Sequence, residues 1–156
     1  NTIKLKEKTI KKNIQGDEPF IPKQQIELVI NDFKSNKSDV ITVSGEINSE
    51  DEISNPNCVL VETDLNDYAT NFSRTQKLDN PRRHVGIYGY RLKTLRELVS
   101  LEPTTNELNL KLEQMRFLDN KYSIFVSKSD LVIPNGIDTN DDVVSAENYL
   151  REYENN

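Results

Sequence analysis

The chain has 156 residues, of which 35% are hydrophobic and 29% are charged, and its formal net charge is −6. This length suits one folded domain with its own core, and the patterned hydrophobic residues argue against a disordered chain. The scattered basic residues exclude a recognisable nucleic-acid footprint, and no apolar run approaches the ~20 residues of a membrane span. A single cysteine, Cys58, excludes an internal disulfide and favours a reducing compartment such as the cytoplasm.

The first half of the chain alternates between strand and helix patterns. A strand is predicted over 8–14 and breaks at 16–19, and a helix then begins near Pro22 and ends near 35–37. Its apolar residues share one face, namely Ile26, Val29, Ile30 and Phe33. A short buried strand is predicted over 39–44, after which Ser49 and Glu52 have the spacing of a capping box for a short helix. Two β-rich runs, 58–63 and 68–72, are separated by turn-forming residues and predict a hairpin.

The second half continues the alternation. A strand over 84–90 passes directly into a helix whose apolar residues are Leu92, Leu95, Leu98 and Val99. Thr104 and Glu107 predict a capping box for one further helix, with Leu108, Leu112, Met115 and Leu118 on one face. A strand over 122–126 precedes a loop through Pro134 and Gly136. The last helix is predicted to be capped by Thr139 and Asp142, with Val143, Ala146, Leu150 and Tyr153 facing inward.

This order of elements predicts an α/β protein with three layers and a mixed sheet. The whole of 1–156 is interpreted as one domain, because no repeat, low-complexity tract or long linker interrupts it. In such sheets ligands bind beyond the carboxyl ends of the strands. The loops at 15–19 and 135–139 are therefore the first places to search for a site.

Two carboxylates in these loops are candidate metal ligands. Asp17 follows Gly16, which lets the backbone approach a ligand, and Asp138 precedes the last helix. Together they have the oxygen chemistry of a Mg²⁺ site, since Mg²⁺ usually takes one or two protein carboxylates plus substrate phosphates. Taken alone, the first loop is better explained as an ordinary turn and Asp138 as part of a helix cap.

Further polar residues have both a functional and a structural interpretation. Arg74 has the chemistry to pair with a carboxylate in a bidentate manner, or is a surface arginine. A lone histidine such as His84 is more often structural than catalytic. Glu113 and Gln114 interrupt a helix that otherwise forms part of the core, and their structural interpretation is the polar face of that helix. Cys58 is predicted to be buried and inert.

Six blocks of sequence, read together and in order, resemble one family: the cytidylyltransferases that activate 3-deoxy-manno-octulosonate (Kdo), known as CMP-Kdo synthetases. They extend from about Lys11 to about Leu150, and a set in the correct order is more specific than any one member. The blocks are Asn13-Ile14-Gln15-Gly16-Asp17-Glu18-Pro19, Asn55-Pro56-Asn57-Cys58-Val59, Tyr68-Ala69 with Phe72-Ser73-Arg74, Arg83-His84-Val85-Gly86-Ile87-Tyr88-Gly89-Tyr90-Arg91, Leu112-Glu113-Gln114-Met115-Arg116 and Gly136-Ile137-Asp138-Thr139.

The resemblance implies a Rossmann-like nucleotidyltransferase fold and a cytoplasmic homodimer that transfers CMP from CTP to Kdo for lipopolysaccharide biosynthesis. It implies that Asp17 and Asp138 are catalytic Mg²⁺ ligands and that Gln15 lies beside nucleotide and sugar. It also implies a Kdo pocket lined by Arg74, His84, Tyr88, Glu113 and Gln114. No nucleic acid or membrane partner is expected.

Two family features are not found in this sequence. Nothing before Lys11 matches the family's opening strand and loop of the Ile-Pro-Ala-Arg type, which binds the triphosphate, so the fold is expected to be incomplete at its N-terminus. The stretch from Thr75 to Arg82 is also shorter than the usual family connection. The short stretch has two explanations: a mobile loop is absent from this sequence, or this homologue has lost part of its substrate lid. The missing phosphate loop leaves open an inactive remnant that serves as a sugar-binding or dimerisation module. A sister cytidylyltransferase for amino-Kdo or another acidic sugar is a further alternative, because a change from hydroxyl to amine needs few altered contacts.

Overall fold

A computed structural model describes residues 10–14, 21–47, 49–74, 77–131, 136–137 and 140–154 of the chain. Gln15, Asp17, Asp138 and the predicted cap Thr139 lie outside these residues. The described elements, in chain order, are β1 (Ile10–Ile14), α1 (Lys23–Ser35), β2 (Val40–Gly45), α2 (Glu50–Ser54), β3 (Leu60–Thr63), β4 (Ala69–Ser73), β5 (Arg82–Arg91), α3 (Leu92–Leu98), α4 (Thr105–Leu110), α5 (Gln114–Asp119), β6 (Ile124–Lys128) and α6 (Asn140–Glu154).

The six described strands form one mixed sheet in the order β4-β3-β5-β2-β6, with β1 also paired to β5. β2 and β6 run parallel, whereas β5 pairs antiparallel with β1, β2 and β3. The predicted hairpin is confirmed, because β3 and β4 pair antiparallel. β5 is therefore central, and side chains on one of its faces can meet groups from several other elements.

Helices cover both faces of the sheet, which confirms the predicted three-layer α/β architecture. On one face, Val29 and Phe33 of α1 pack against Ile41 of β2 and Ile87 of β5. The close approach of α1 requires a glycine at position 89, because a Cβ there would lie 2.8 Å from Cγ1 of Val29. The other face carries a cluster that includes Leu98, Met115 and Phe117 from α3 and α5, together with Val40, Phe72, Tyr88, Tyr90 and Val126 from the strands.

The prediction of one continuous helix after Thr104 is wrong. Its capping box is confirmed, since the Thr104 hydroxyl accepts from the Glu107 backbone N–H and the Glu107 carboxylate accepts from the Thr104 N–H. The helix nevertheless ends at Lys111, which has left-handed backbone angles (φ 54°), and α5 begins three residues later. The carboxylate of Glu107 bridges the break by accepting from Nε of Arg116 at 2.7 Å and from Nη2 at 2.5 Å.

Because of this break, the apolar residues that were expected on one helix face do not share one face. Leu112 and Met115 are buried in the core, but Leu108 of α4 is 65% exposed. Val99 is likewise exposed, since it caps α3 instead of continuing its buried face. Val99 therefore lies at a helix end that the periodicity did not predict, whereas Leu108 lies within α4, which ends earlier than predicted.

Other predictions are confirmed only in part, because a boundary, a cap or a buried face differs from the prediction. Ser49 does precede α2, but its side chain makes no capping hydrogen bond. The strand predicted over 122–126 occurs as β6, two residues later. On α6, Ala146 is buried as predicted, whereas Val143 and Leu150 are exposed among the described residues; the side chains of Asp142 and Tyr153 are not described.

Candidate functional site

A row of aromatic rings follows the α3–α5 face of β5. His84, Tyr88 and Tyr90 point to the same face because even-numbered positions of a strand share one side. The ring centroids of His84 and Tyr88 lie 5.4 Å apart, and the ring of Tyr88 stacks on that of Tyr90 with a centroid distance of 5.9 Å. Phe72 of β4 contacts the other end of the row, with its ring edge-to-face with His84 at 5.3 Å. All four residues are buried, so their polar atoms sit in a low-dielectric environment.

Arg74 lies at the His84 end of this row, directly after β4. Its Nη1 donates to the backbone carbonyls of Pro56 and Asn57, each at 3.1 Å, which anchors the guanidinium on the turn before β3. These two bonds use the N–H groups of Nη1 alone, whereas a guanidinium has five N–H donors in total. Arg74 therefore combines a fixed position with donor capacity for an anionic ligand.

The electrostatics of the row differ between its two ends. Burial, with a further contribution from the nearby positive charge of Arg74, lowers the pKa of His84 to about 3. Burial also raises the pKa of Tyr88 well above its usual value of 10, and Tyr90 and the carboxylate of Glu113 add to this effect. At neutral pH His84 is consequently uncharged and Tyr88 keeps its proton, while the charges lie at the ends, on Arg74 and Glu113.

Glu113 and Gln114 come from the start of α5. Glu113 is the residue before the helix and is exposed, and its carboxylate also raises the pKa of Tyr90. Gln114 is the first helical residue and is buried. A cavity of about 330 Å³ is lined by Glu113 and Tyr90, together with Lys11 and Lys12 of β1. The cavity thus adjoins the Glu113 end of the row.

A shift in strand pairing brings a side chain of β2 to the site. Thr42 of β2 faces Tyr88, but the next residue, Val43, faces Val85, so the ladder is irregular at this point. Such irregularities re-aim a side chain, and here the Thr42 hydroxyl lies 2.9 Å from Nε2 of His84. Thr42 was not among the residues that the sequence singled out, although a polar residue inside a buried apolar strand needs a hydrogen-bonding partner.

The structure therefore brings together four of the residues that the sequence singled out. Arg74, His84, Tyr88 and Glu113 are linked by ring contacts or by their effects on one another's pKa. Gln114 adjoins Glu113 along the chain, whereas Gln15, Asp17 and Asp138 lie outside the described residues. Among the residues that are described, no three His, Cys, Asp or Glu side chains form a metal-binding group. Cys58 is buried, as predicted.

This fold is shared with a class of enzymes that transfer nucleotides. Residues 2–125 match the family model described as cytidylyltransferase. The chain is 36% identical to the 3-deoxy-manno-octulosonate cytidylyltransferase of Thermodesulfovibrio yellowstonii, over 96% of this chain and 63% of that protein. It is 38% identical to the protein of the same name from Fusobacterium nucleatum, over 90% of this chain and 60% of the relative.

A solved structure supports the same assignment. The described fold superposes with a TM-score of 0.82 on CMP:2-keto-3-deoxy-manno-octonic acid synthetase complexed with CTP, at 26% identity and over 92% of this chain and 62% of that chain. The chain belongs to the cytidylyltransferase family. It spans somewhat less than two thirds of the length of these curated relatives. None of the helices in the described part of the chain has the length and hydrophobicity of a membrane-spanning segment.

Proposed function

We propose that this protein transfers CMP from CTP to Kdo, giving CMP-Kdo and pyrophosphate. The observation that carries the proposal is the meeting of Arg74, His84, Tyr88 and Glu113 at one site in a member of the cytidylyltransferase family. An acidic sugar has one carboxylate and several hydroxyls. The row has a matching arrangement, with a cation at one end, neutral hydrogen-bonding groups in the middle and a carboxylate at the other end.

Each residue has a defined role in this proposal. Arg74 binds the sugar carboxylate through its remaining N–H groups, because charge-assisted bonds of this kind are strong and directional. The neutral ring of His84 and the protonated phenol of Tyr88 hydrogen-bond sugar hydroxyls, as Gln114 does through its amide. Glu113 accepts from hydroxyls at the opposite end. Their common effect is to fix the sugar so that its anomeric hydroxyl faces the α-phosphate for in-line attack.

The nucleotide and metal roles are assigned to residues outside the described ones. Gln15 lies beside nucleotide and sugar in this proposal, and Asp17 and Asp138 hold Mg²⁺, for which carboxylate oxygens are suitable ligands. When bound, Mg²⁺ neutralises the charge of the triphosphate and orients it. β1 supports this placement of Gln15, because its last residue, Ile14, pairs with Ile87 of β5, three residues from His84 along that strand.

The proposal extends to the setting in which the enzyme works. The protein acts as a homodimer in the cytoplasm of a Gram-negative cell and supplies activated Kdo for lipopolysaccharide synthesis. Light scattering on the full-length gene product measures its oligomeric state, and a monomer at micromolar concentration would contradict the proposed homodimer.

The test is CTP-dependent pyrophosphate release by the full-length gene product, with Kdo and Mg²⁺ present. Arg74→Lys should lower kcat/KM for Kdo about 10- to 100-fold, because lysine lacks the bidentate fork of arginine. Arg96→Lys, an exposed change on α3, is the matched control and should leave the rate unchanged. Equal losses in both variants would contradict the role of Arg74.

Substrate comparison separates the alternatives. A higher kcat/KM for amino-Kdo or a sialic acid than for Kdo would identify a sister cytidylyltransferase. Calorimetric binding of Kdo without any CTP binding or pyrophosphate release would identify a sugar-binding module instead.

A metal-ligand variant tests the second half of the site. Asp17→Asn should abolish Mg²⁺-dependent pyrophosphate release while leaving the circular dichroism spectrum and melting temperature unchanged. Glu102→Gln, on an exposed residue, removes one carboxylate elsewhere and should have no effect on the rate. Retained activity in Asp17→Asn would refute its assignment as a Mg²⁺ ligand.

A further inference from the structure

The hydroxyl oxygen of Thr42 makes three contacts inside the protein. The residue is fully buried on β2, and its Oγ1 lies 2.9 Å from Nε2 of His84. The same oxygen lies 2.9 Å from the backbone carbonyl of Ile87 and 3.4 Å from that of Val85. The hydroxyl thus stands between the imidazole and two carbonyl groups of the same strand.

The direction of these hydrogen bonds follows from the number of protons available. A threonine hydroxyl has one proton to donate and two lone pairs that accept, whereas a backbone carbonyl only accepts. The contact with Ile87 is the shorter of the two carbonyl contacts, so it takes the hydroxyl proton. The contact with His84 then requires that Nε2 carry a hydrogen and donate it to Thr42. In the opposite tautomer, Nε2 has no hydrogen and would have to accept the hydroxyl proton of Thr42. The Thr42 oxygen and the Ile87 carbonyl oxygen would then lie 2.9 Å apart in a buried site without a proton between them.

We infer that Thr42 is a positioning residue that holds His84 in its Nε2–H tautomer, with the lone pair on Nδ1. The rings of Phe72 and Tyr88 contact the same imidazole at 5.3 and 5.4 Å and limit its rotation. Burial keeps the ring uncharged at neutral pH, so the arrangement involves a neutral histidine. The histidine consequently presents an acceptor, and a group that binds Nδ1 must donate a proton.

The consequence for recognition rests on the proposed function. A lone pair on Nδ1 accepts from a sugar hydroxyl and repels a carboxylate, which leaves the carboxylate of an acidic sugar to Arg74. Thr42 would in this way contribute to the orientation of the sugar through its contact with His84. The pair is separated by 42 residues, so the tautomer is a property of the folded sheet.

The chain contains a single histidine, which makes a direct spectroscopic test possible. In a long-range ¹H–¹⁵N spectrum of the ¹⁵N-labelled protein, Nε2 should show the shift of a protonated ring nitrogen and Nδ1 that of an unprotonated one. Thr42→Ser keeps the hydroxyl and should keep this pattern. Thr42→Val keeps the shape without the acceptor and should move both shifts towards averaged values.

The opposite pattern in the unmodified protein would overturn the inference without any variant. So would a Thr42→Val protein that is folded by circular dichroism, is less stable and retains the original tautomer, because Thr42 would then have only a structural role. If Thr42→Val fails to fold, the spectra of the unmodified protein and of Thr42→Ser still decide the question.

A kinetic measurement links the tautomer to the reaction. Thr42→Val should raise KM for Kdo about tenfold, the effect of one lost hydrogen bond, while KM for CTP stays unchanged and Thr42→Ser restores the original value. Equal changes in both KM values would count against a positioning role. If the full-length protein releases no pyrophosphate, the proposed function fails, whereas the nitrogen shifts still confirm or refute the role of Thr42.

Discussion

Lowering the pH should destabilise this protein through His84. The imidazole has an ordinary pKa of 6.5, and burial lowers the pKa in the folded protein to about 3. Between these two values the unfolded chain binds a proton that the folded protein does not bind. The free energy of unfolding is therefore highest above pH 6.5 and decreases as the pH falls towards 3, by up to about 1.4 kcal/mol per pH unit.

The magnitude follows from the two pKa values. Between pH 7 and pH 5, the unfolded state gains about 2 kcal/mol relative to the folded state from this one group. Carboxylates also titrate at low pH, among them Glu107, whose pKa is lowered by its hydrogen bond with Arg116. Their contribution must be removed, and the control variant His84→Gln does so because glutamine does not titrate while its amide can still donate to Thr42.

The assay is urea denaturation of the unmodified protein and of His84→Gln at pH 7, 6 and 5, at constant ionic strength. The unmodified protein should lose about 2 kcal/mol more than the variant over this range. Because the chain has one histidine, an NMR titration of its ring carbon signals gives an independent measurement. Equal losses in both proteins, or a midpoint near pH 6.5 in the folded state, would refute the reasoning.

Two further predictions concern packing and the break between α4 and α5. Gly89→Ala should lower the free energy of unfolding by about 1–3 kcal/mol, because the new Cβ would lie 2.8 Å from Cγ1 of Val29. Gly45→Ala is the control, since the atom nearest to its new Cβ would be 3.8 Å away. Urea denaturation should show a much smaller change for this variant. Glu107→Gln should cost about 1–3 kcal/mol by weakening its bond to Arg116, and a double-mutant cycle with Arg116→Gln should reveal coupling. Similar losses for both glycine variants, or additive effects in the cycle, would contradict these assignments.

Much of the secondary structure could be predicted from local patterns. The apolar spacing of α1 predicted its buried residues Val29 and Phe33, and the run of β-branched residues in β2 predicted a buried strand. The capping box at Thr104 also formed, because both of its partners lie within one helical turn. Interactions of this kind depend on neighbours along the chain, so the sequence contains the information needed to predict them.

The candidate site was predicted in a different way, through ordered blocks that resemble a family. That resemblance singled out Arg74, His84, Tyr88 and Glu113, which the structure brings together, but it provided no account of how they interact. The aromatic row, the lowered pKa of His84 and the contact with Thr42 arise from the pairing of β2 with β5. The assignments of Gln15, Asp17 and Asp138 stay predictions.

The sequence by itself thus determined the alternation of strands and helices, the mixed α/β class and the set of candidate site residues. Only the tertiary structure decided where the helix after Thr104 ends, since Lys111 takes a left-handed conformation and the Glu107–Arg116 pair spans the break. It also decided which hydroxyl meets His84. The physical reason is that periodicity reports the neighbours of a residue along its own helix or strand, whereas these contacts join residues that only the packed sheet and its helices bring together.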